Sequence, residues 1–347
     1  MADPTPSIPK GSLILVTGVT GHLASELARQ FLERGYRVRG TVRDLSRASW
    51  LGVEGNNVFS PYAASGQLEL VVVPDMAAPG AFSDPALFQG VSAVAHVATM
   101  GFDPDPSKVI PAAVSSTTSI LCAAAAAPTV HRFVFTSSVV AAAALTPGNT
   151  HEVTQASWNE AALDMAWAPP PYDPERIIPV YMASKVAAER EVWRFVSDER
   201  PPFVLNVVSP QVVWGQRLSP RCAAPSASMV PELFEGKLQN TAMMPAVYAV
   251  DVKDVGLLHV AAVLDSDTRS KRILAWGRYH TWPETLAVFR KLYPARRFVS
   301  DDQFVGLPGL TLTTDESVPL GLMEKWGGQV GWRLLEDTVR DNLDYVK

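Results

Sequence analysis

The chain has 347 residues, 30 basic and 35 acidic, with a formal net charge of −5 and a pI near 5.7. Apolar residues make up 47% and charged residues 19%, so the chain can bury a sizeable core, and a disordered chain is excluded on composition. The mild acidity argues against nucleic-acid and anionic-membrane partners, which require a basic face.

The length suggests about two domains, or one large α/β domain with an appendage. Two cysteines, Cys122 and Cys222, are too few for a disulfide framework, and leave open one bridge or two free thiols in a reducing compartment. The opening residues Met1 to Pro6 lack a basic or apolar leader, and no stretch is expected to approach the ~18 apolar residues of a membrane span. A cytoplasmic location is the default expectation.

Residues 1–11 are proline-rich and read as a mobile N-terminal segment. Leu13 to Val16 is a continuous apolar run, the pattern of a strand buried on both faces. A helical stretch follows to about Glu33, with Leu23, Leu27, Phe31 and Leu32 at helical spacing, and Gly35 closes it. Further strands are predicted over Tyr36 to Val42, Leu68 to Val73, Ala93 to Val97, Arg132 to Phe135 and Phe203 to Val208. Helices are predicted over Val109 to Ala127, stopped by Pro128, and over Tyr181 to Val196. Strands alternating with helices at this rhythm predict an α/β fold, a Rossmann-type doubly wound parallel sheet.

After about residue 210 the rhythm breaks. Residues 12–210, with a returning strand–helix pair at about 245–265, are assigned to the main domain. Residues 211–244 and 266–347 are assigned to a smaller, discontinuous C-terminal lobe that holds the substrate.

Gly18-x-x-Gly21-x-x-Ala24 lies directly after the first strand and opens a helix. Gly18 permits the tight turn, Gly21 lets the backbone approach a diphosphate, and Ala24 allows close helix–strand packing, with the diphosphate on the helix N-terminus. Thr20, Gly21, His22 and Leu23 therefore count with Gly18 as cofactor-binding candidates. His22 reads as partly exposed.

At the end of the second strand stands Gly40-Thr41-Val42-Arg43. An NAD site usually carries an acid here, whereas a basic residue can pair with the 2′-phosphate of NADP. Two readings stay open: Arg43 holds that phosphate, or Arg43 is a solvated cation and Asp44 serves a ribose.

Tyr181 and Lys185 lie four apart on one helix face. An ammonium beside a phenol favours the phenolate, and such a tyrosine can exchange a proton with a carbonyl or alcohol. Thr136-Ser137-Ser138 ends a strand at the edge of the sheet where ligands bind, and a hydroxyl there can stabilise developing negative charge. The His and Cys residues show no metal-ligand spacing, so no metal is expected.

Thr17-Gly18-x-x-Gly21, Asp75-Met76, His96-Val97-Ala98-Thr99, Thr136-Ser137-Ser138 and Tyr181-x-x-x-Lys185 together resemble an extended short-chain dehydrogenase/reductase. Within that class the chain is similar to the dihydroflavonol reductase and cinnamoyl-CoA reductase branch, and to its fungal NADPH-dependent aldehyde and ketone reductases. The resemblance implies hydride transfer from NADPH to an aldehyde or ketone, with NADP+ as the oxidised product. It implies catalytic roles for Ser138, Tyr181 and Lys185, with Lys185 also a ribose ligand.

By the same resemblance Arg43 takes the 2′-phosphate, and Asp75 and Met76 flank the adenine. The backbone of Val97, Ala98 and Thr99 meets the ribose, and the turn from Pro210 to Val213 lies against the nicotinamide. Relatives often carry a lysine where this chain has Trp50, which leaves Arg47 to substitute for it.

Met100, Phe102, Ser138, Gln211 and Trp214 are the candidate substrate-pocket residues. Met229, Leu233, Met243 and Met244 read either as an adaptable apolar wall or as core. His96 reads as a support for the strand end rather than a catalyst. The expected partner is a small carbonyl compound, and the chain reads as a monomer or a homodimer. The alternatives are an epimerase or dehydratase that retains NAD, and a non-catalytic NADP-binding regulator.

Overall fold

The computed structural model describes residues 4–53, 57–99, 101–146, 150–222, 225–239, 241, 244 and 246–344. In chain order the strands that matter here are β1 (Leu13–Val16), β2 (Arg37–Val42), β3 (Leu68–Val72), β4 (Val91–His96), β5 (Arg132–Thr136), β6 (Val204–Pro210), β7 (Val212–Trp214), β8 (Ala246–Asp251), β9 (Arg272–Ala275) and β10 (Arg278–Thr281). The longer helices are α1 (His22–Glu33), α2 (Pro106–Ala126), α3 (Ile177–Glu199), α4 (Val252–Leu264), α5 (Trp282–Leu292), α6 (Ser317–Gly327) and α7 (Leu335–Leu343).

Seven strands form the main sheet in the order β9-β6-β5-β4-β1-β2-β3, all parallel. The apolar run of β1 is fully buried because helices cover both faces. Successive strand side chains point to opposite faces. Accordingly Ile14 and Val16 join the core under α1 and α4, while Leu13 and Leu15 join the core under α2 and α3. The chain runs β1-β2-β3 in one direction and then returns to place β4 on the other side of β1. The strand order therefore reverses between β1 and β4, and a crevice opens there at the carboxyl ends.

The second lobe is built on the three-stranded sheet β10-β8-β7, with its own core around Trp214, Val247, Trp282, Leu286 and Phe289. Two assignments from sequence change here. The strand of the returning pair, β8, belongs to this small sheet, although its helix α4 packs on α1 in the main domain. Conversely β9, assigned to the lobe, is the seventh strand of the main sheet and pairs with β6. The cause is β7, which follows β6 at once and draws β8 into parallel pairing with it, leaving the outer edge of β6 to β9.

Two further expectations change. Within the segment read as mobile, Ser7 donates its amide to Leu264 O (2.7 Å) and its hydroxyl to Val263 O (2.8 Å). Ile8 is buried, and its carbonyl accepts from the Tyr36 hydroxyl. Helix α2 has 21 residues and a mean hydropathy of 1.6 over its most apolar window, long and apolar enough to span a bilayer. Counting unbroken apolar runs overlooked it because Ser115 to Ser119 interrupt the run. It packs along α3, with Ile120, Leu121 and Ala124 buried. Both cysteines are free thiols, Cys122 exposed and Cys222 buried.

Arg132, at the start of β5, closes the carboxyl end of α4. Its buried guanidinium donates to the carbonyls of Ala262, Val263, Asp265 and Thr268 at 2.5–3.1 Å. Helix carboxyl ends leave carbonyls without intrahelical partners, and burying them unpaired is costly. Replacing Arg132 with leucine should therefore destabilise the protein by about 3 kcal/mol. Over a chain of this length that is a fall of about 4 °C in Tm by scanning calorimetry. An unchanged Tm would show that other groups terminate α4.

Candidate functional site

The reversal between β1 and β4 brings three loops to one crevice, and Thr17 joins the first two. Its hydroxyl oxygen accepts the amides of Val97 (3.0 Å) and Ala98 (3.1 Å) and lies 2.9 Å from His96 Nδ1. With two amides donating to it, the hydroxyl gives its own proton to Nδ1. His96 is therefore neutral, in agreement with its pKa, held at about 3 by burial and then by the Lys185 charge. As expected from sequence, it supports the strand end.

Gly18 has φ +65°, and a Cβ there would stand 3.0 Å from Ala98 Cβ. The requirement for glycine is thus both conformational and steric. Gly21 is the N-cap of α1 and offers no side-chain cap, so the first-turn amides of His22 and Leu23 remain for an anion. Thr20 and Leu23 flank this turn, each partly buried. A diphosphate fits such a cradle.

His22 departs from its expected exposure. It is buried, its Nε2 donates to Gln216 O at 2.9 Å, and burial lowers its pKa to about 4. The ring thereby ties the glycine turn to the loop leaving β7. Two more contacts follow the same path. Cys222 Sγ lies 3.7 Å from Ser25 Oγ, and Arg221 donates to Ser49 Oγ at 2.9 Å.

Arg43 stands exposed at the end of β2 and makes no hydrogen bond or ion pair among the described residues. Asp44, the rival ribose ligand, caps a turn and stays exposed. Its two oxygens accept the Ser46 amide and hydroxyl, both at 2.8 Å, capping the 3₁₀ turn Leu45–Leu51. Arg39 pairs with Glu69 and donates to three carbonyls, so it belongs to the fold. Trp50 is buried against Phe59, while Arg47 is exposed. At the end of β3 the Asp75 carboxylate accepts the Ala77 amide, and Met76 packs partly buried against the core of that face. Thr99 is exposed.

Tyr181 and Lys185 project from α3 toward the end of β5. The Tyr181 phenol neighbours the Ser138 hydroxyl, whose Oγ donates to Pro210 O at 3.3 Å. Lys185 is buried at 6% exposure and donates from Nζ to Thr136 O at 3.3 Å. Burial lowers the Lys185 pKa to about 8, with Glu189 opposing. The Tyr181 phenol is raised by burial, and the Ser138 hydroxyl opposes. The expectation of a phenol lowered by its lysine is therefore not met, since desolvation prevails and the ammonium hydrogen-bonds to a strand carbonyl instead.

The substrate-pocket candidates separate. The Phe102 ring lies 5.3 Å from that of Tyr181 and is half exposed, at the mouth of the site. Gln211 is buried beside Pro210, its amide held by Ala275 O and its Nε2 without a hydrogen-bond partner among the described residues. Val213 is partly buried. Trp214 is fully buried between His280 and Trp282, in the core of the second lobe rather than on a pocket wall. Met229 and Leu233 are core as well, and Met244 packs against that core. Met100 and Met243 lie outside the described residues.

Sequence reasoning did not single out Gly40 as a site residue. A Cβ there would lie 2.5 Å from Val19 Cγ1, inside the glycine turn. A glycine three residues before the candidate phosphate ligand was the available signal.

Residues 14–212 match the model of the NAD dependent epimerase/dehydratase family, and the chain belongs to that family. It is 37% identical over 340 residues to the NAD-dependent epimerase/dehydratase terH of Aspergillus terreus, covering 97% of each chain. It is 36% identical over 342 residues to aldehyde reductase 2 of Sporidiobolus salmonicolor, covering 96% of each. The fold matches that of yeast methylglyoxal/isovaleraldehyde reductase Gre2 complexed with NADPH. The TM-score is 0.78 at 23% identity, over 96% of this chain and 99% of that one.

Replacing Gly40 with alanine should push Val19 and the glycine turn out of place. We expect dinucleotide affinity to fall about tenfold, measured by isothermal titration, with the circular dichroism spectrum unchanged. Unchanged affinity would show that the turn yields without cost.

Proposed function

We propose that the protein reduces an aldehyde or ketone to the alcohol with NADPH. The observation that carries this reading is the convergence of two hydroxyls, Ser138 and Tyr181, at the carboxyl end of β5 beside a buried ammonium. NADPH, when bound, supplies the hydride. The chain supplies the rest.

A carbonyl oxygen held between Ser138 and Tyr181 accepts from both hydroxyls. Ser138 positions it, and Tyr181 gives the proton as negative charge develops on oxygen. A phenol raised by burial keeps its proton at neutral pH, the state that reduction requires. Lys185, an ammonium below about pH 8, stabilises the phenolate left behind. The uncapped amides of α1 and the free guanidinium of Arg43 suit the diphosphate and 2′-phosphate of NADPH.

The half-exposed Phe102 ring beside Tyr181 favours an apolar or aromatic substrate. The similarity to an aldehyde reductase of Sporidiobolus salmonicolor supports carbonyl reduction, and Gre2, of the same fold, was solved with NADPH.

The direct test is loss of absorbance at 340 nm with NADPH and NADH against aromatic and aliphatic aldehydes and β-ketoesters. Tyr181→Phe should retain NADPH binding and lose at least ~100-fold in kcat, and unchanged turnover would remove Tyr181 as the acid. Arg43→Ala should raise KM for NADPH about tenfold or more while leaving KM for NADH nearly unchanged. An equal effect on both cofactors would refute the 2′-phosphate assignment.

A further inference from the structure

The Ser137 hydroxyl does not join Ser138 and Tyr181. It donates to Glu189 Oε2 at 2.5 Å, and the Ser137 amide donates to Val208 O. Glu189 is fully buried on α3, one helical turn beyond Lys185. Three consecutive residues at the end of β5 therefore meet three successive turns of one helix. Ser138 meets Tyr181, Thr136 O meets Lys185, and Ser137 meets Glu189.

The carboxylate is filled from two more sides. Arg272 of β9 approaches it at 2.6 Å (Nε–Oε1) and 3.1 Å (Nη2–Oε2), and Trp193 Nε1 donates to Oε1 at 3.2 Å. Arg272 is itself fixed, its guanidinium 4.3 Å over the Trp158 ring and its Nη1 donating to Gln155 O and Ser157 O.

We propose that Glu189 is a positioning residue for the reaction, holding the Ser138-bearing strand end in register with α3 and placing a carboxylate one helical turn from the Lys185 ammonium. The proposal rests on the carbonyl-reductase reading. Among titratable groups, His96 of β4 lies within charge range of Lys185, His259 of α4 meets Thr136, whose carbonyl Lys185 contacts, and Arg272 of β9 lies beyond the Glu189 carboxylate. Both histidines are held neutral by burial, so the opposing charge that bears on Lys185 is that of Glu189.

Removing Glu189 alone would strand the buried Arg272, so the informative variant replaces both, Glu189→Gln with Arg272→Met. The first readout needs neither substrate nor cofactor: the Lys185 resonance in protein carrying ¹³Cε-lysine, titrated against pH. We expect its midpoint to fall by about one unit. The basic limb of the kcat profile should move with it, and kcat at pH 7.5 should drop about tenfold. Ser137→Ala should lower kcat several-fold with the midpoint in place.

A midpoint and limb that both stay at the wild-type position overturn the charge role. Glu189→Asp guards against a double variant that does not fold, because it keeps the charge but withdraws the oxygens. It should lower kcat as Ser137→Ala does, and wild-type kcat there overturns the register role. A protein that shows the shifted midpoint but reduces no carbonyl would instead fail the functional reading while sustaining the charge role.

Discussion

A lysine ammonium buried at 6% exposure dictates much of what surrounds it. Taking that charge out of water costs several kcal/mol unless partners replace the lost solvation. Here they are a strand carbonyl and a carboxylate one turn away, with the neighbouring histidine kept neutral. His96 is held neutral by the Thr17 hydroxyl and by burial, and His259 likewise between Thr136 and Val255 O. Each partner then has requirements of its own. Glu189 needs Arg272, and Arg272 needs the aromatic face of Trp158 and two loop carbonyls. One buried charge thereby accounts for polar groups on α3, β4, β5, α4 and β9.

The second dependency is topological. A sheet whose strand order reverses between β1 and β4 leaves a crevice where no crossover covers the carboxyl ends. The glycine turn fills one side of it, the Ser138 strand end the other, and the segment after β6 crosses toward the small sheet. His22, Ser25 and Ser49 each contact that outgoing segment, at Gln216, Cys222 and Arg221. The two lobes are thus tied beside the crevice itself.

Features that were legible in the sequence are those written locally. β1 announces itself by four consecutive apolar residues, α1 by its helical spacing, and the glycine turn by its place between them. Tyr181 and Lys185 were legible because four residues is one helical turn. What escaped depends on partners far along the chain. Nothing near residue 272 says that four residues will complete the main sheet, since β9 gains its place from β6, some sixty residues earlier. Trp214 sits beside the site in sequence yet turns into the lobe core, because β7 has changed sheets by that point. His22 looked exposed because Gln216, which buries it, is 194 residues away. The raised phenol of Tyr181 follows from burial, which residue spacing does not reveal.

The end of α4 also bears on how the chain comes off the ribosome. Arg132 finds its acceptors 130 to 136 residues later, and Ser7 finds its own 256 residues later. Until α4 and the turn after it emerge, a guanidinium that ends buried has no carbonyl to meet, and the β6 edge lacks its neighbour. The first two hundred residues can form strands and helices as they appear, but they cannot close. Closure waits for the stretch between residues 252 and 275, so a nascent chain stalled short of it would expose an open sheet edge and invite chaperones.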